Sequence, residues 1–418
     1  MTALRPAIYL DHHASAPLSD AARAAVMALM AAGPGNPSSI HGAGQAARHA
    51  LDRARGQVAA AVGVAPRQVV FTSGATEANH GAIRGVALAK PGAAGAGVAG
   101  VGVAWISAAE HASVHAAAAT LAVANGAVAW EIRAMGLDPL GFIDLEAIAA
   151  ALHAVSPGLP RPAQPSAPQT THLVSACLVS NELGTTQPVA ALGRLFKARD
   201  PDVIIHCDAT QALGRIAVDF AALGVDLLTL SGHKIGAPAG IGALIVRDGL
   251  AIDVLLPGHQ EEGRRAGTEN LLGAVGLGAA CADLAPRRAQ IPRIRGLRDA
   301  LWRGIDALPW PSHRHAQVAA ERETGTCLSV AFPGCDASDL VMALDVEGVA
   351  VSAGSACSSG TLAPSAVIEA ILSDADQALA AATVRFSLGP ESTANDVTGA
   401  LTALRRVLTR VAPAPAPD

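Results

Sequence analysis

The chain has 418 residues, of which 51% are apolar and only 3% aromatic, enough for roughly two or three cores built from aliphatic side chains. A net charge of −5 without a basic stripe excludes a nucleic-acid binder. No apolar run reaches the roughly 18 residues that span a bilayer, so no membrane partner is expected. The opening MTALRPAIYLDHH lacks the basic start and apolar middle of a signal peptide, which predicts a cytoplasmic protein.

In chain order, strand-like and helix-like runs alternate. QVVFTS (68–73) reads as a strand and TEANHGAIRGVALA (76–89) as a helix. KPGAAGAGVAGVG (90–102) is glycine-rich and predicts a loop. GVAWIS (102–107) is a strand, followed by a helix over 111–126 that ends on glycine. The proline-rich stretch from 156 to about 170 reads as a surface linker. THLVSACLVS (171–180) is a strand, and PVAALGRLFKARD (188–200) a helix opened by proline. VIIHCDA, VDLLTLS and IGALIVRD are further strands. This alternation indicates α/β architecture with a mainly parallel sheet, whose sites lie beyond the carboxyl ends of the strands. After about Pro286 an arginine-rich helix (287–305) and short elements predict a second, smaller domain, and the tail APAPAPD reads as disordered.

The polar motifs follow the strands. SGAT places small residues at a strand-to-helix turn, where unpaired N–H groups and the positive dipole end suit a phosphate, although a capped helix start reads the same way. Asp208 ends an apolar strand, as either a capping carboxylate or one that needs a cationic partner. Lysine occurs only at 90, 197 and 234, and every other basic residue is arginine. Lys90 and Lys197 read as solvated surface groups. Lys234, in TLSGHKIGAP, follows the strand after Asp208. Only lysine can lose its proton and act as an amine nucleophile. An acid and an amine on neighbouring strand ends, with a phosphate turn elsewhere in the sheet, match the needs of pyridoxal phosphate. Ser231 and His233 stand close enough in sequence to reach its phosphate. His111 could stack on a flat ring or cap a helix, and Arg385 could grip a carboxylate or lie on the surface. The six cysteines show no CxxC pair, so neither a metal site nor a disulfide framework is expected. Cys357 lies in VSAGSACSSG, among small residues that describe a mobile loop; a thiol there is either incidental or reactive.

YLDHHASAP, GNPSSIHGAGQAAR, FTSGATEAN, EHASV, NELGTTQPV, DATQALGR, SGHKIGAPAGIGAL, RRAGTENL, SAGSACSSGT and RFSLG follow one another from about residue 8 to 390. In this order they resemble the cysteine desulfurases, pyridoxal-phosphate enzymes of the class V aminotransferase group. The cysteine loop resembles the branch in which that loop is long and mobile. The resemblance implies a fold type I enzyme: a large domain, 17–286, with a seven-stranded sheet, and a smaller α+β domain formed by 1–16 and 287–418. It implies that Lys234 holds the cofactor covalently, Asp208 pairs with its ring nitrogen and Gln211 with its phenolic oxygen. Asn181 would lie near that oxygen and the substrate carboxylate, and His111 would stack on the ring and manage a thiol proton. Ala75, Thr76, Ser231 and His233 would bind phosphate. Thr268 would reach the phosphate of the partner subunit of a homodimer. Arg385 would bind the carboxylate of L-cysteine, and Cys357 would accept sulfur as a persulfide and pass it to an acceptor protein, such as an iron–sulfur scaffold.

Two departures stand out. DHHASAP replaces the more usual DHAATTP, and GAP follows GHKI where the family often has a bulkier residue and Gly-Pro. Neither is expected to touch a catalytic group. Selenocysteine lyase, another aminotransferase activity, and a noncatalytic sulfur carrier that kept the fold are the alternative readings.

Overall fold

The computed structural model describes residues 8–89, 101–122, 129–154, 170–253, 256–353 and 364–412. The first strand, β1 (Ile8–Tyr9), is followed by the strands of a seven-stranded sheet: β2 (Val69–Thr72), β3 (Val101–Ser107), β4 (Ala129–Met135), β5 (Thr170–Cys177), β6 (Ile204–Asp208), β7 (Leu227–Ser231) and β8 (Gly242–Val246). Their order in space is β2-β8-β7-β6-β5-β3-β4. The pairs from β4 across to β7 are parallel, and β8 alone runs antiparallel to both neighbours. The carboxyl ends of β2, β5, β6 and β7 therefore share one edge. Gly242, where β8 begins, lies between Thr72 and Ser231 at that edge.

Helices cover both faces. Gly42–Val62 and Leu271–Ala282 pack on one through Leu51, Val58 and Leu277, and Ala75–Ala89 and Ala112–Ala122 on the other through Ile83 and Val114. The alanine- and glycine-rich composition has a packing reason: a Cβ at Gly278 would stand 2.7 Å from Ala54 Cα. A larger side chain there would push two helices apart.

The smaller unit contains β9 (His313–Arg314), β10 (Cys327–Ala331), β11 (Val349–Ala350), β12 (Ser352–Ala353) and β13 (Thr383–Ser387). An antiparallel sheet runs β12-β13-β10-β9, while β1 pairs with β11. Its core, with Leu301, Phe332, Leu340, Phe386 and Leu404, also takes in Leu10 and is separate from the two clusters on the faces of the large sheet. A buried two-pronged ion pair braces it, with Arg298 donating to both carboxylate oxygens of Glu323 at 2.7 and 2.6 Å.

Three local expectations need correction. The strand expected over 171–180 stops at Cys177, and Ser180 N–H donates instead to Thr185 O at 3.0 Å, closing a turn. The helix expected over 287–305 is two helices, Leu284–Ala289 and Ile291–Asp306, meeting at Gln290. Pro292 lies in the first turn of the second; without an N–H it starts a helix but cannot continue one. The edge strand β4 was not anticipated from the sequence at all. Residues 90–100 of the glycine-rich stretch, the proline-rich stretch up to 169, and the tail from 413 lie outside the described residues, as does the stretch in which the 111–126 helix was expected to end; Val101 and Gly102, expected in the loop, begin β3.

Candidate active site

A cavity of about 500 Å³ opens at the shared edge of the sheet, lined among others by Ala75, Thr76, His111, Asn181, Asp208, Gln211, Ser231, His233, Lys234 and Arg385. Ten of the twelve residues singled out from the sequence thus meet in one place. Thr268 does not; it is exposed and outside this cavity. Cys357 lies in 354–363, outside the described residues.

Asp208 ends β6 and is buried. Its Oδ1 accepts from the Thr210 backbone N–H and its Oδ2 from Asn79 Nδ2, both at 2.9 Å. Asn79, fully buried in the helix that follows β2, also donates to Ser113 Oγ at 3.0 Å. Ser113 in turn contacts His111 Nδ1 at 2.9 Å through its hydroxyl, and its backbone N–H donates to that same nitrogen at 3.1 Å. A nitrogen that accepts from an amide carries no proton, so neutral His111 holds its proton on Nε2. One chain of hydrogen bonds thereby orients the acid at the floor and the imidazole beside it.

Lys234 follows β7 in the one-turn segment Gly232–Lys234. The turn needs its glycines: Gly236 has φ +79°, and a Cβ there would meet Pro17 O at 2.9 Å. Lys234 Nζ donates to the carbonyls of His13 at 2.7 Å and Ala14 at 2.9 Å. Neither other lysine is placed here. Lys90 lies outside the described residues, and Lys197 is not the solvated group expected; it pairs at 3.0 Å with the buried Asp226.

The helix Ala75–Ala89 begins at the cavity wall. Gly242 allows this approach, since a Cβ on it would lie 2.7 Å from the Gly74 carbonyl carbon. Facing that helix start, burial and the neighbouring Lys234 lower the His233 pKa to about 4, so its ring is neutral near pH 7. Arg385, in the middle of β13, is buried and donates to Asn181 O at 3.2 Å and to Asp11 at 3.1 Å. Burial works against its charge, but Glu182 and Asp11 more than offset this and raise its pKa.

The cavity suits pyridoxal phosphate. It offers an amine, a buried carboxylate and a helix N-terminus flanked by Thr76, Ser231 and His233. Two lining residues carry buried oxygens with no hydrogen-bond partner, Thr210 Oγ1 and Gln211 Oε1. Buried polar atoms in a native site are normally paired, so these two await a polar ligand.

Several site residues were missed from the sequence. His13, whose segment was expected to touch no catalytic group, lines the cavity, and its carbonyl accepts from both Lys234 and Gln211 Nε2. Its mismatch with the usual DHAATTP was the available signal. Asn79, Ser113 and Asp11 carried none, because each acts on another residue.

Glu182 makes a pH-dependent contribution. Burial raises its pKa to about 7, against the opposing pull of Arg385. The folded value lies above the unfolded one, so the protonated form favours folding. That advantage is fully present below about pH 4.5 and is lost as pH rises through 7. Glu182→Gln is therefore expected to match wild type at pH 4.5 and to gain up to about 3 kcal/mol above pH 8, read from denaturant unfolding at both pH values.

The Aminotransferase class-V family model matches residues 8–399. The chain is 33% identical over 406 residues to the cysteine desulfurase IscS of Dictyoglomus turgidum, covering 97% of this chain and 95% of that protein. Among solved structures it is similar to a NifS-like protein, with TM-score 0.81, 27% identity and coverage of 96% and 99%. It is also similar to SspA in complex with cysteine, with TM-score 0.73, 28% identity and coverage of 92% and 100%.

Proposed function

Since the chain belongs to the class V aminotransferase family, we infer from that premise how its cavity works. The enzyme is a pyridoxal-phosphate-dependent cysteine desulfurase of fold type I. L-Cysteine is the substrate, and the release of L-alanine leaves one sulfur atom on the enzyme. The observation that carries the residue assignment is the meeting of Lys234, Asp208 and Arg385 around one cavity with a helix N-terminus.

Lys234 would hold the cofactor covalently and Asp208 its ring nitrogen. Gln211 and Asn181 would hold its phenolic oxygen, with the phosphate at Ala75, Thr76, Ser231 and His233. When bound, the cofactor supplies an electron sink for the pair released as the Cα–H bond of the substrate breaks. The protein's own residues do the rest. Arg385 binds the substrate carboxylate with a planar, permanently charged fork. Lys234 Nζ, as a neutral amine, would take the Cα proton of the substrate. Asp208, oriented by Asn79, would hold the ring nitrogen. His111, with its proton on Nε2 and Nδ1 held by Ser113, would manage a thiol proton as its donor. Cys357 Sγ, as thiolate, forms an S–S bond to the substrate sulfur while the substrate C–S bond breaks, so Cys357 ends as a persulfide and the substrate as alanine.

The core around Leu301 and Phe386 holds only residues of 1–16 and 287–418, which supports a division into 17–286 and 1–16 with 287–418, while a further cluster joins Leu183 to Val367 and Ile371 across that boundary. Thr268 is exposed, and Arg265 ties its segment to the phosphate-binding helix through Glu77 at 2.8 Å. That placement supports Thr268 serving a partner subunit's phosphate in a homodimer. No helix among the described residues is long and apolar enough to cross a membrane. Delivery of the sulfur in the cytoplasm to an acceptor protein, such as an iron–sulfur scaffold, completes the reading.

The test is alanine formation from L-cysteine without added keto acid, with Cys357→Ser in parallel. Wild type should form alanine and the variant should keep its cofactor but release no sulfide. A keto-acid requirement would instead mark an aminotransferase, and turnover of selenocysteine alone would mark a selenocysteine lyase.

A further inference from the structure

His13 is the residue of the cavity wall whose side chain has no counterpart in the DHAATTP pattern, where alanine holds its place. Its ring is 1% exposed, and both nitrogens are engaged. Nδ1 lies 3.1 Å from Asn181 O. A carbonyl can only accept, so Nδ1 carries the proton and donates. Nε2 must then accept, and Thr326 Oγ1 at 3.0 Å is its donor. Thr326, its own proton so committed, accepts from Thr324 at 2.9 Å. Burial comes first and the charges of Arg215, Arg385 and Lys234 add to it in holding the ring neutral, which this fixed order of donors requires.

The carbonyl of Asn181 that receives His13 also receives Arg385, at 3.2 Å. Two donors, one from the N-terminal segment and one from β13, thus converge on a single acceptor at the cavity wall. The main chain of His13 is pinned separately: its N–H donates to Ser387 Oγ at 2.9 Å, and its carbonyl holds Lys234 and Gln211. Backbone and ring therefore serve different halves of the site. The backbone serves the amine, and the ring serves the Asn181–Arg385 pair.

We propose that His13 is a positioning residue for the substrate carboxylate, fixing through the Asn181 carbonyl the stance in which Arg385 receives it. This rests on the reading of Arg385 as the carboxylate-binding group. Loss of the ring leaves the shared carbonyl with one donor and loosens its position, so that Arg385 keeps Asp11 but rests its other contact on an acceptor no longer fixed. Loss of the ring leaves the contacts of Lys234 and Gln211 in place, because they use the main chain.

The experiment compares KM and kcat for L-cysteine in the cofactor-loaded wild type, His13→Ala, His13→Asn and Arg385→Ala. His13→Ala should keep the cofactor absorbance, raise KM about tenfold, the scale of one lost hydrogen bond in a buried site, and change kcat less than about threefold. His13→Asn, whose amide N–H can replace Nδ1, should restore KM to within about threefold. Binding of cysteamine, which lacks the carboxylate, should not change in either variant. A rise in KM for Arg385→Ala with none for His13→Ala would overturn the proposal, as would equal weakening of cysteine and cysteamine. An unchanged KM in Arg385→Ala would instead remove the reading beneath it. If His13→Ala does not fold, Thr326→Val removes the donor to Nε2 and should raise KM about threefold; no change there also overturns the proposal.

Discussion

Replacing Lys234 by alanine is expected to give a folded protein that holds no cofactor covalently and turns over L-cysteine about a thousandfold more slowly, or worse. The removed amine would serve twice, as the covalent anchor and as the carrier of the Cα proton, and proton carriers alone contribute about 10²–10⁴-fold. Among the described residues, the wall carries no second amine. The neighbouring cation Arg385 cannot deprotonate, and Lys197 is held away by Asp226. Lys234→Arg is expected to be as inactive as the alanine variant, which separates the need for an amine from the need for a positive charge. Absorbance of the purified protein and its rate of alanine formation are the two readouts. A coloured alanine variant with substantial turnover would show that the amine acts elsewhere.

Asp208→Asn carries the next largest expected effect, a fall in kcat of about 10²–10³-fold with the cofactor retained and KM little changed. The substitution keeps the shape and removes the charge. A cationic ring nitrogen is favoured by a nearby carboxylate, and loss of that charge lowers its pKa and weakens the electron sink. The surroundings add to the penalty. Asn79 Nδ2 and the Thr210 N–H both donate to this carboxylate, so an amide must turn its own N–H₂ toward one of the two donors. Pre-steady-state absorbance and kcat measure the effect. A variant with wild-type kcat would mean that Asp208 is only a structural cap.

The sequence made legible what sits at strand ends. Asp208, Lys234 and the turn before Ala75 could be read because apolar runs stop at them, and parallel sheets place such ends together. The fold class was legible for the same reason. What escaped acts across long separations. His13 meets Lys234 and Thr326 only because β1 joins the smaller unit and carries the following segment back over the cavity. Asn79 and Ser113 read as ordinary helix residues, and their value appears only once Asp208 and His111 flank them. The edge strand β4 mixes Trp130 and Ile132 with Glu131 and Arg133, the alternation of a half-covered surface, and it was too faint to stand out beside the continuous apolar runs of its neighbours. Lys197 looked solvated because its buried partner Asp226 lies in the turn before β7, far along the chain.

The most direct measurement is borohydride reduction of the cofactor-loaded protein followed by peptide mass spectrometry. The pyridoxyl mass is expected on the peptide carrying Lys234 and nowhere else. Its appearance on Lys90 or Lys197, or on no lysine at all, would contradict the account.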